Sequence, residues 1–413
     1  MTSPLSSSST PTTDPAAVPA GAWRALVLVT IGFGINFWAW ALLSPLGPVY
    51  VERGLTADAS LIVAIPVLVG SLGRILMGAL SDRFGAHAMF PLVSLITVIP
   101  VLFLGFVGQY TYPTLLVGGF FLGIAGTTFA IGVPYVNSWF PPANRGMATG
   151  LYGVGMGGTA ISAFTTVPLV GAVGDRTPFV LTAAALIAFA VVGWLMMRNA
   201  PTWEPSHKSI VAQSVAVMKL TVTWQACYLY ALSFGGYVAF SVFLPTMLQN
   251  WYGLQATDAS FRMAGFVIVA VIMRPLGGIL SDRLGASRTL LISYSVVALA
   301  ALMLAFQPPL MPVGTVDFIV MAAGLGLGSG AVFALVSQTS DPSVVGSVTG
   351  FVGAAGGLGG FVPPLAMAAV YSFSGSYSIG ILLLLVATLG AVGVTVMVSR
   401  GARASVTDAS STT

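Results

Sequence analysis

Apolar residues run along this chain in long blocks, and short polar stretches separate the blocks. Twelve blocks are each about twenty residues long, the length that lets a helix cross a ~30 Å hydrocarbon core. Helices are expected, because lipid offers open backbone groups no hydrogen-bond partner and the blocks are too long for barrel strands. The predicted spans lie near residues 22–45, 59–80, 88–108, 113–138, 146–171, 178–198, 221–248, 261–280, 289–306, 316–338, 345–372 and 377–399.

Composition agrees with an all-α polytopic membrane protein. The chain is 56% hydrophobic and 6% charged, whereas soluble domains carry roughly 25% charged residues. The amino-terminal tail is rich in Ser, Thr and Pro, which favours disorder, and it lacks the basic residues that open a signal peptide. The predicted order is a disordered cytoplasmic tail, a six-helix bundle, a cytoplasmic linker, a second six-helix bundle and a second cytoplasmic tail, at residues 1–21, 22–198, 199–220, 221–399 and 400–413.

The basic residues predict the orientation of the chain in the membrane. With a cytoplasmic amino terminus, ten Lys and Arg residues fall inside, and Arg53, Arg176 and Arg262 fall outside. The positive-inside rule places the side with more basic residues in the cytoplasm, so both termini are expected there. The protein itself is expected in the inner membrane of the cell. The net charge of +4 is spread over loops, and nucleic-acid binding is not expected. Cys227 is the only cysteine, which excludes an internal disulfide.

The two halves of the chain repeat at an offset of 200 residues. GRILMGALSDRFG at 73–85 matches MRPLGGILSDRLG at 273–285, and GMATGLYGVGMGG at 146–158 matches GSVTGFVGAAGGL at 346–358. The repeated glycines fall on one helical face, where they let membrane helices approach closely and suit helices that slide. Two six-helix repeats indicate an alternating-access transporter. The predicted helix-packing glycines are Gly146, Gly150, Gly153, Gly157, Gly346, Gly350, Gly353 and Gly357.

Two arginines lie at equivalent places inside apolar blocks. Arg74 and Arg274 are each eight residues from the Asp that marks the helix end, roughly 12 Å along a helix and close to the bilayer midplane. A charge there costs roughly 2.5–3.5 kcal/mol, and it is functional by default. All eleven acids fall in tails, loops or helix ends, so no carboxylate neutralises the pair at this depth. The planar, forked guanidinium groups predict a small oxyanion as the binding partner. The alternative is that each arginine hydrogen-bonds to backbone carbonyls and only stabilises its own half.

The segments GALSDRFG and GGILSDRLG resemble the loop motif of the major facilitator superfamily, which occurs between helices 2 and 3 and between helices 8 and 9. This resemblance implies twelve transmembrane helices in two six-helix repeats. It also implies a latch between neighbouring helix ends. The first copy departs from the family because Ala86 and His87 stand where basic residues are usual. The candidate latch residues are Asp82, Arg83, Asp282 and Arg283.

Within that superfamily, the chain is similar to the nitrate/nitrite porter family over residues 23–400. The resemblance lies in NFWAWALLSPLGP, VNSWFPPANRGMATGLYGVGMGGTAIS, GLGLGSGAVFALVS and GSVTGFVGAAGGLGGFVPP. It implies that Arg74 and Arg274 grip the anion, that Phe129 and Phe234 sandwich it, and that the Tyr230 hydroxyl lies nearby. Two asparagines that many members carry are missing, in the helix 5 segment GVGMGG and in helix 10, where Ser329 stands. The choice between nitrate and nitrite stays open.

The expected function is nitrate and nitrite transport by alternating access, in a monomer without a metal or cofactor. Moving one anion against an inside-negative potential costs about 2.3 kcal/mol per 100 mV. The spans carry no embedded acid or histidine relay, so nitrate/nitrite exchange is preferred. The alternatives are proton-coupled nitrate symport and carriage of another small anion. A cationic drug carrier, a sugar symporter, a non-transporting anion receptor and an enzyme fit less well, because the chain has uncompensated arginines, no output domain and no catalytic motif.

Overall fold

The computed structural model describes residues 18–141, 144–201, 203–205, 215–339 and 345–411. Twelve helices in these ranges are long and apolar enough to cross a membrane, which confirms the predicted number of spans. Helix α1 has two segments, Ala22–Trp40 and Leu43–Glu52. The others are α2 Ser60–Phe84, α3 Ala86–Phe106, α4 Tyr112–Trp139, α5 Arg145–Ala172, α6 Thr177–Met196, α7 Thr221–Tyr252, α8 Ala256–Leu284, α9 Ala286–Ala305, α10 Thr315–Thr339, α11 Val345–Ser374 and α12 Ser378–Ser411.

Several helices extend beyond the apolar blocks that predicted them. Helix α7 continues to Tyr252 and α8 begins at Ala256, so the polar residues between the two blocks belong mostly to helix ends. Helix α12 continues to Ser411, into the segment predicted as the second tail. Hydropathy cannot locate these ends, because a helix that leaves the lipid needs no apolar residues. Much of the predicted first tail and linker (1–17, 202 and 206–214) lies outside the described residues.

Three helices near the centre of the molecule are interrupted. Helix α1 breaks at Ala41 and Leu42, where Pro45 cannot donate to the Ala41 carbonyl and the Ser44 amide takes its place at 3.1 Å. Helices α4 and α5 each contain a 3₁₀ segment, Gly123–Thr127 and Gly153–Gly157. Short 3₁₀ stretches inside a helix often mark a functional hinge. The glycine runs of the sequence therefore coincide with local departures from regular α-helix.

The two halves meet through three main helix pairs: α2 packs on α11, α5 on α8, and the second segment of α1 on α7. Helices α3 with α6 and α9 with α12 pack within their own halves. The repeat is visible in the backbone, since Gly85 has φ 83° and ψ 144° and Gly285 has φ 87° and ψ 143°. An L side chain rarely adopts this positive φ, so the last position of each loop motif requires glycine. We call the end of the bundle that carries these two glycines the loop-motif end, and the opposite end the far end.

Candidate functional site

The five side chains that the sequence assigns to the substrate lie together between the two halves. Arg74 comes from α2, Phe129 from α4, Tyr230 and Phe234 from α7, and Arg274 from α8. Each is buried, with an exposed fraction of 3% or less. Both halves therefore contribute an arginine and at least one aromatic ring to one enclosed cluster.

Both central arginines lie against the faces of aromatic rings. Phe129 and Phe234, one from each half, stack with ring centroids 5.5 Å apart and an interplanar angle of 27°. Tyr230 stacks on Phe234 at 4.8 Å and 8°. The guanidinium carbon of Arg74 is 5.1 Å from the Phe129 centroid and 5.3 Å from that of Phe234. For Arg274 both distances are 5.5 Å. Cation–π attraction offsets part of the cost of burying each charge.

Each arginine also donates one hydrogen bond to its own half and one to the opposite half. Arg74 donates from Nε to the Gly126 carbonyl at 3.2 Å and from Nη1 across the interface to the Gly353 carbonyl at 3.0 Å. Arg274 donates from Nη2 to the Tyr230 hydroxyl at 2.9 Å, and from Nη1 across the interface to the Met156 thioether. All four acceptors are neutral.

No carboxylate pairs with either central arginine in the part of the chain that the structure describes. The two ion pairs found there are Arg53–Asp175 and Arg262–Asp258, both with partly exposed side chains at the far end. The sequence had predicted this separation of acids from the midplane arginines. Two positive charges therefore face the same ring pair with only neutral acceptors around them.

Hydrogen bonds between the halves close the far end above the arginines. Pro245 in α7 has no amide hydrogen, so the Ser241 carbonyl lacks its usual helical donor. The Ser44 hydroxyl of α1 donates to the Ser241 carbonyl at 3.2 Å and to the neighbouring Val242 carbonyl at 2.8 Å. Tyr237 of α7 shares a hydrogen bond with Thr159 of α5 at 3.1 Å between their hydroxyl oxygens. The far end is thus joined by polar contacts that an opening motion must break.

The repeated glycines do more than bring helices together. A Cβ at Gly153 would lie 2.6 Å from Arg274 Nε, and one at Gly357 would lie 2.6 Å from Arg74 Nη1. A Cβ at Gly150 would lie 3.3 Å from the Cα of Pro275 across the interface. Glycine at these places makes room for the arginines or for the opposite backbone.

The other repeated glycines are less confined. A Cβ at Gly353 would make an ordinary contact with Phe129 at 3.4 Å, and at Gly157 or Gly350 it would meet no atom within 4 Å. In this conformation the expected close helix contact thus applies to Gly150 and not to Gly350. The surroundings of Gly346 lie outside what the structure describes.

The latch residues lie at the loop-motif end, away from the arginine cluster. Arg83 lies over the Phe84 ring at 5.6 Å, and Asp282 and Arg283 are exposed. The Asp282 Oδ1 atom is 4.0 Å from the place of a Cβ at Gly146, beside the amino-terminal turn of α5. A carboxylate near a helix amino terminus is favourable, and here it reaches from one half to the other. The side chain of Asp82 lies outside the described residues, so a latch there stays a prediction.

Sequence reasoning missed three contributors to the cluster. Met156 contacts Arg274, the Gly126 carbonyl accepts from Arg74, and Phe333 of α10 packs on Tyr230 with centroids 4.7 Å apart. A backbone acceptor leaves no trace in side-chain identity, and Phe333 resembles any buried ring. Met156 did leave a signal, since it is the one large side chain between Gly153 and Gly158 that is buried. Ser329 donates to the Gly326 carbonyl of its own helix at 2.9 Å.

Comparison with known proteins agrees with this architecture. The sequence profile of the Major Facilitator Superfamily matches residues 29–364. The human organic anion transporter MFSD10 (TETRAN) superposes with a TM-score of 0.76 at 14% identity, over 91% of this chain and all of that one. At this identity the likeness concerns the fold alone.

Curated relatives are similar over nearly their whole length. The "Probable nitrate/nitrite transporter NarK2" of Mycobacterium tuberculosis is 45% identical over 379 residues, which are 91% of this chain and 96% of that protein. The "Nitrite extrusion protein" of Bacillus subtilis is 35% identical over 87% of this chain and 90% of its own. The "Probable nitrate transporter NarT" of Staphylococcus haemolyticus is 34% identical, with coverages of 87% and 92%. The chain is a multi-pass membrane transporter and not an enzyme, and it belongs to the major facilitator superfamily and, within it, to the family of nitrate/nitrite transporters.

Proposed function

We propose that this transporter carries nitrate, nitrite or both, with the anion held between Arg74 and Arg274. The observation that carries the proposal is the pair of buried guanidinium groups, which have no acid partner among the residues that the structure describes and lie against one stacked ring pair. The names of the relatives support the choice of anion. A cation would add to the charge already present, whereas a monovalent anion offsets part of it.

The geometry favours a small planar oxyanion over a larger one. Both guanidinium groups lie within 5.5 Å of the centroids of Phe129 and Phe234, so little width separates the forks from the rings. A planar anion can lie against a ring face while its oxygens accept from both forks. Hydrogen bonds to an oxyanion are roughly twice as strong as those between neutral groups. The anion therefore competes well with the carbonyl, hydroxyl and thioether acceptors now in place.

The proposed transport mode is nitrate/nitrite exchange by alternating access, in a monomer of the inner membrane with both termini in the cytoplasm. The two six-helix halves would rock about the arginine cluster and open the far end and the loop-motif end in turn. Exchange needs no protonatable side chain, because one charge replaces another across the membrane. Proton-coupled symport is the competing mode.

The site is tested by measuring nitrate affinity in purified Arg74→Lys and Arg274→Lys variants. Lysine keeps the charge and loses the bidentate fork, so each variant is expected to bind nitrate at least about 100-fold more weakly. Arg262→Lys is the matched control, because Arg262 pairs with Asp258 at the far end, outside the cluster. Near-normal affinity in either central variant, with normal folding, would overturn the site.

The transport mode is tested by counterflow in proteoliposomes. Labelled nitrate is expected to enter much faster when nitrite or nitrate is trapped inside than when the vesicles hold no anion. A symporter would instead show strong uptake into anion-free vesicles under an imposed pH gradient. If that uptake equals the counterflow rate, exchange is wrong and the arginine site alone is retained.

A further inference from the structure

The two central arginines differ in the strength of the hydrogen-bond acceptors that they contact. Both of the Arg74 acceptors are main-chain carbonyls, at 3.2 and 3.0 Å. Arg274 has the Tyr230 hydroxyl and the thioether of Met156. A thioether sulfur is a weak acceptor, whereas a carbonyl oxygen is a strong one. Nη1 of Arg274 is therefore the guanidinium donor that gains most when an oxyanion replaces its present partner.

The two contacts that cross the interface also differ in how easily they move. The Gly353 carbonyl is part of the α11 backbone, so it can leave Arg74 only if the helix moves. Met156 reaches Arg274 with a flexible side chain of three torsions. Its own backbone is anchored, because its carbonyl accepts from the Thr159 hydroxyl at 3.0 Å and from the Tyr237 hydroxyl at 3.4 Å. The thioether can therefore swing away from Arg274 without disturbing α5.

We propose that Met156 sets the affinity of the arginine site, because its thioether occupies Arg274 in the empty carrier and is displaced by the incoming oxyanion. This inference rests on the proposed arginine site. It adds that the Met156 thioether competes with the anion for Arg274. The strength of the competitor sets the affinity for the anion. Displacement also removes one of the two arginine contacts between the halves, so binding loosens the interface on the Arg274 side while Arg74 stays on Gly353.

The affinity test uses two replacements of similar size and opposite acceptor strength. Met156→Leu removes the acceptor, so nitrate is expected to bind about five-fold more tightly. Met156→Gln supplies an amide oxygen, a stronger acceptor than sulfur, and nitrate is expected to bind about five-fold more weakly. Met263→Leu is the matched control, since Met263 is buried on α8 and lies roughly 16 Å along the helix from Arg274. A residue that served only for packing would weaken binding in both Met156 variants, and that result would overturn the proposal.

The second test observes the displacement in the wild-type protein. With methyl-¹³C methionine, the Met156 resonance is identified as the one of 16 that is lost in Met156→Leu. Saturating nitrate is expected to shift this resonance and to leave that of Met263 in place. If nitrate binds and Arg274→Lys abolishes binding, but the Met156 resonance does not move, the displacement is wrong and the site stands. If Arg274→Lys binds nitrate as the wild type does, the site itself is wrong.

Discussion

A methyl group at Gly153 tests whether the position of Arg274 controls anion binding. In Gly153→Ala the new Cβ would lie 2.6 Å from Arg274 Nε and 2.7 Å from its Cδ. Carbon and nitrogen atoms in contact normally stay roughly 3.5–4.0 Å apart, so the side chain must retreat by about 1 Å. A shift of this size displaces the guanidinium group from its place against the ring pair and disturbs its 2.9 Å hydrogen bond to Tyr230.

The expected loss follows from that displacement. A hydrogen bond that involves a charged group contributes about 1.5–3 kcal/mol, so a misplaced fork should weaken nitrate binding roughly 10- to 100-fold. The symmetry-related variant Gly353→Ala is the matched control, because its Cβ would only touch Phe129 at 3.4 Å and leaves the carbonyl that Arg74 uses in place. Its affinity should change by less than about three-fold.

The assay is calorimetric titration of the two purified variants with nitrate, together with their melting temperatures. A large loss at position 153 and a small one at 353, with similar melting temperatures, is the expected result. Equal affinities in Gly153→Ala and the wild type would refute the reasoning, since the methyl group cannot be placed without moving Arg274. Equal and large losses in both variants would assign the effect to general helix packing instead.

Two further predictions concern contacts between the halves. Ser44→Ala should leave the Ser241 carbonyl without a donor, because Pro245 has no amide hydrogen to replace the Ser44 hydroxyl at 3.2 Å, and it should also remove the 2.8 Å bond to the Val242 carbonyl. The cost is about 1–3 kcal/mol and favours opening of the far end; faster amide hydrogen exchange in α7 than in the wild type would show this, and unchanged exchange would contradict it. Gly150→Leu should strongly reduce counterflow, because a Cβ already lies 3.3 Å from Pro275, whereas Gly350→Leu meets open space and should retain most of it. Comparable rates in the two Leu variants would show that this interface does not limit transport.

The sequence predicted the positions that depend on depth along a helix. Arg74 and Arg274 lie eight residues from the helix-end acids in both repeats, and helical rise alone placed them at one level. Tyr230 and Phe234 were expected on one helical face, and their rings do stack. Resemblance to known porters, and not spacing, supplied Phe129.

Other features of the site depend on how the two halves are packed. Nothing in the local sequence says that Arg74 reaches the Gly353 carbonyl, because that acceptor is common to every residue. The equivalence of Gly150 and Gly350 in the repeat is also misleading, since one faces Pro275 and the other faces open space. The repeat is symmetric in sequence, whereas one conformation of an alternating-access carrier need not be symmetric in its contacts.

The cross-interface hydrogen bonds bear on why an empty carrier should turn over slowly. The sequence favours exchange because the spans carry no embedded acid or histidine relay, and two buried positive charges at one depth also repel each other when no anion is bound. In the structure each arginine is also bound to the opposite half, Arg74 to Gly353 and Arg274 to Met156. Rocking the halves apart without an anion breaks these bonds and leaves charged donors unsatisfied, at about 1–3 kcal/mol for each buried group. A bound oxyanion accepts from both forks during the same motion, so the loaded carrier avoids that cost. Repulsion and hydrogen bonding thus act in the same direction, and both support exchange over uptake by a carrier that must return empty.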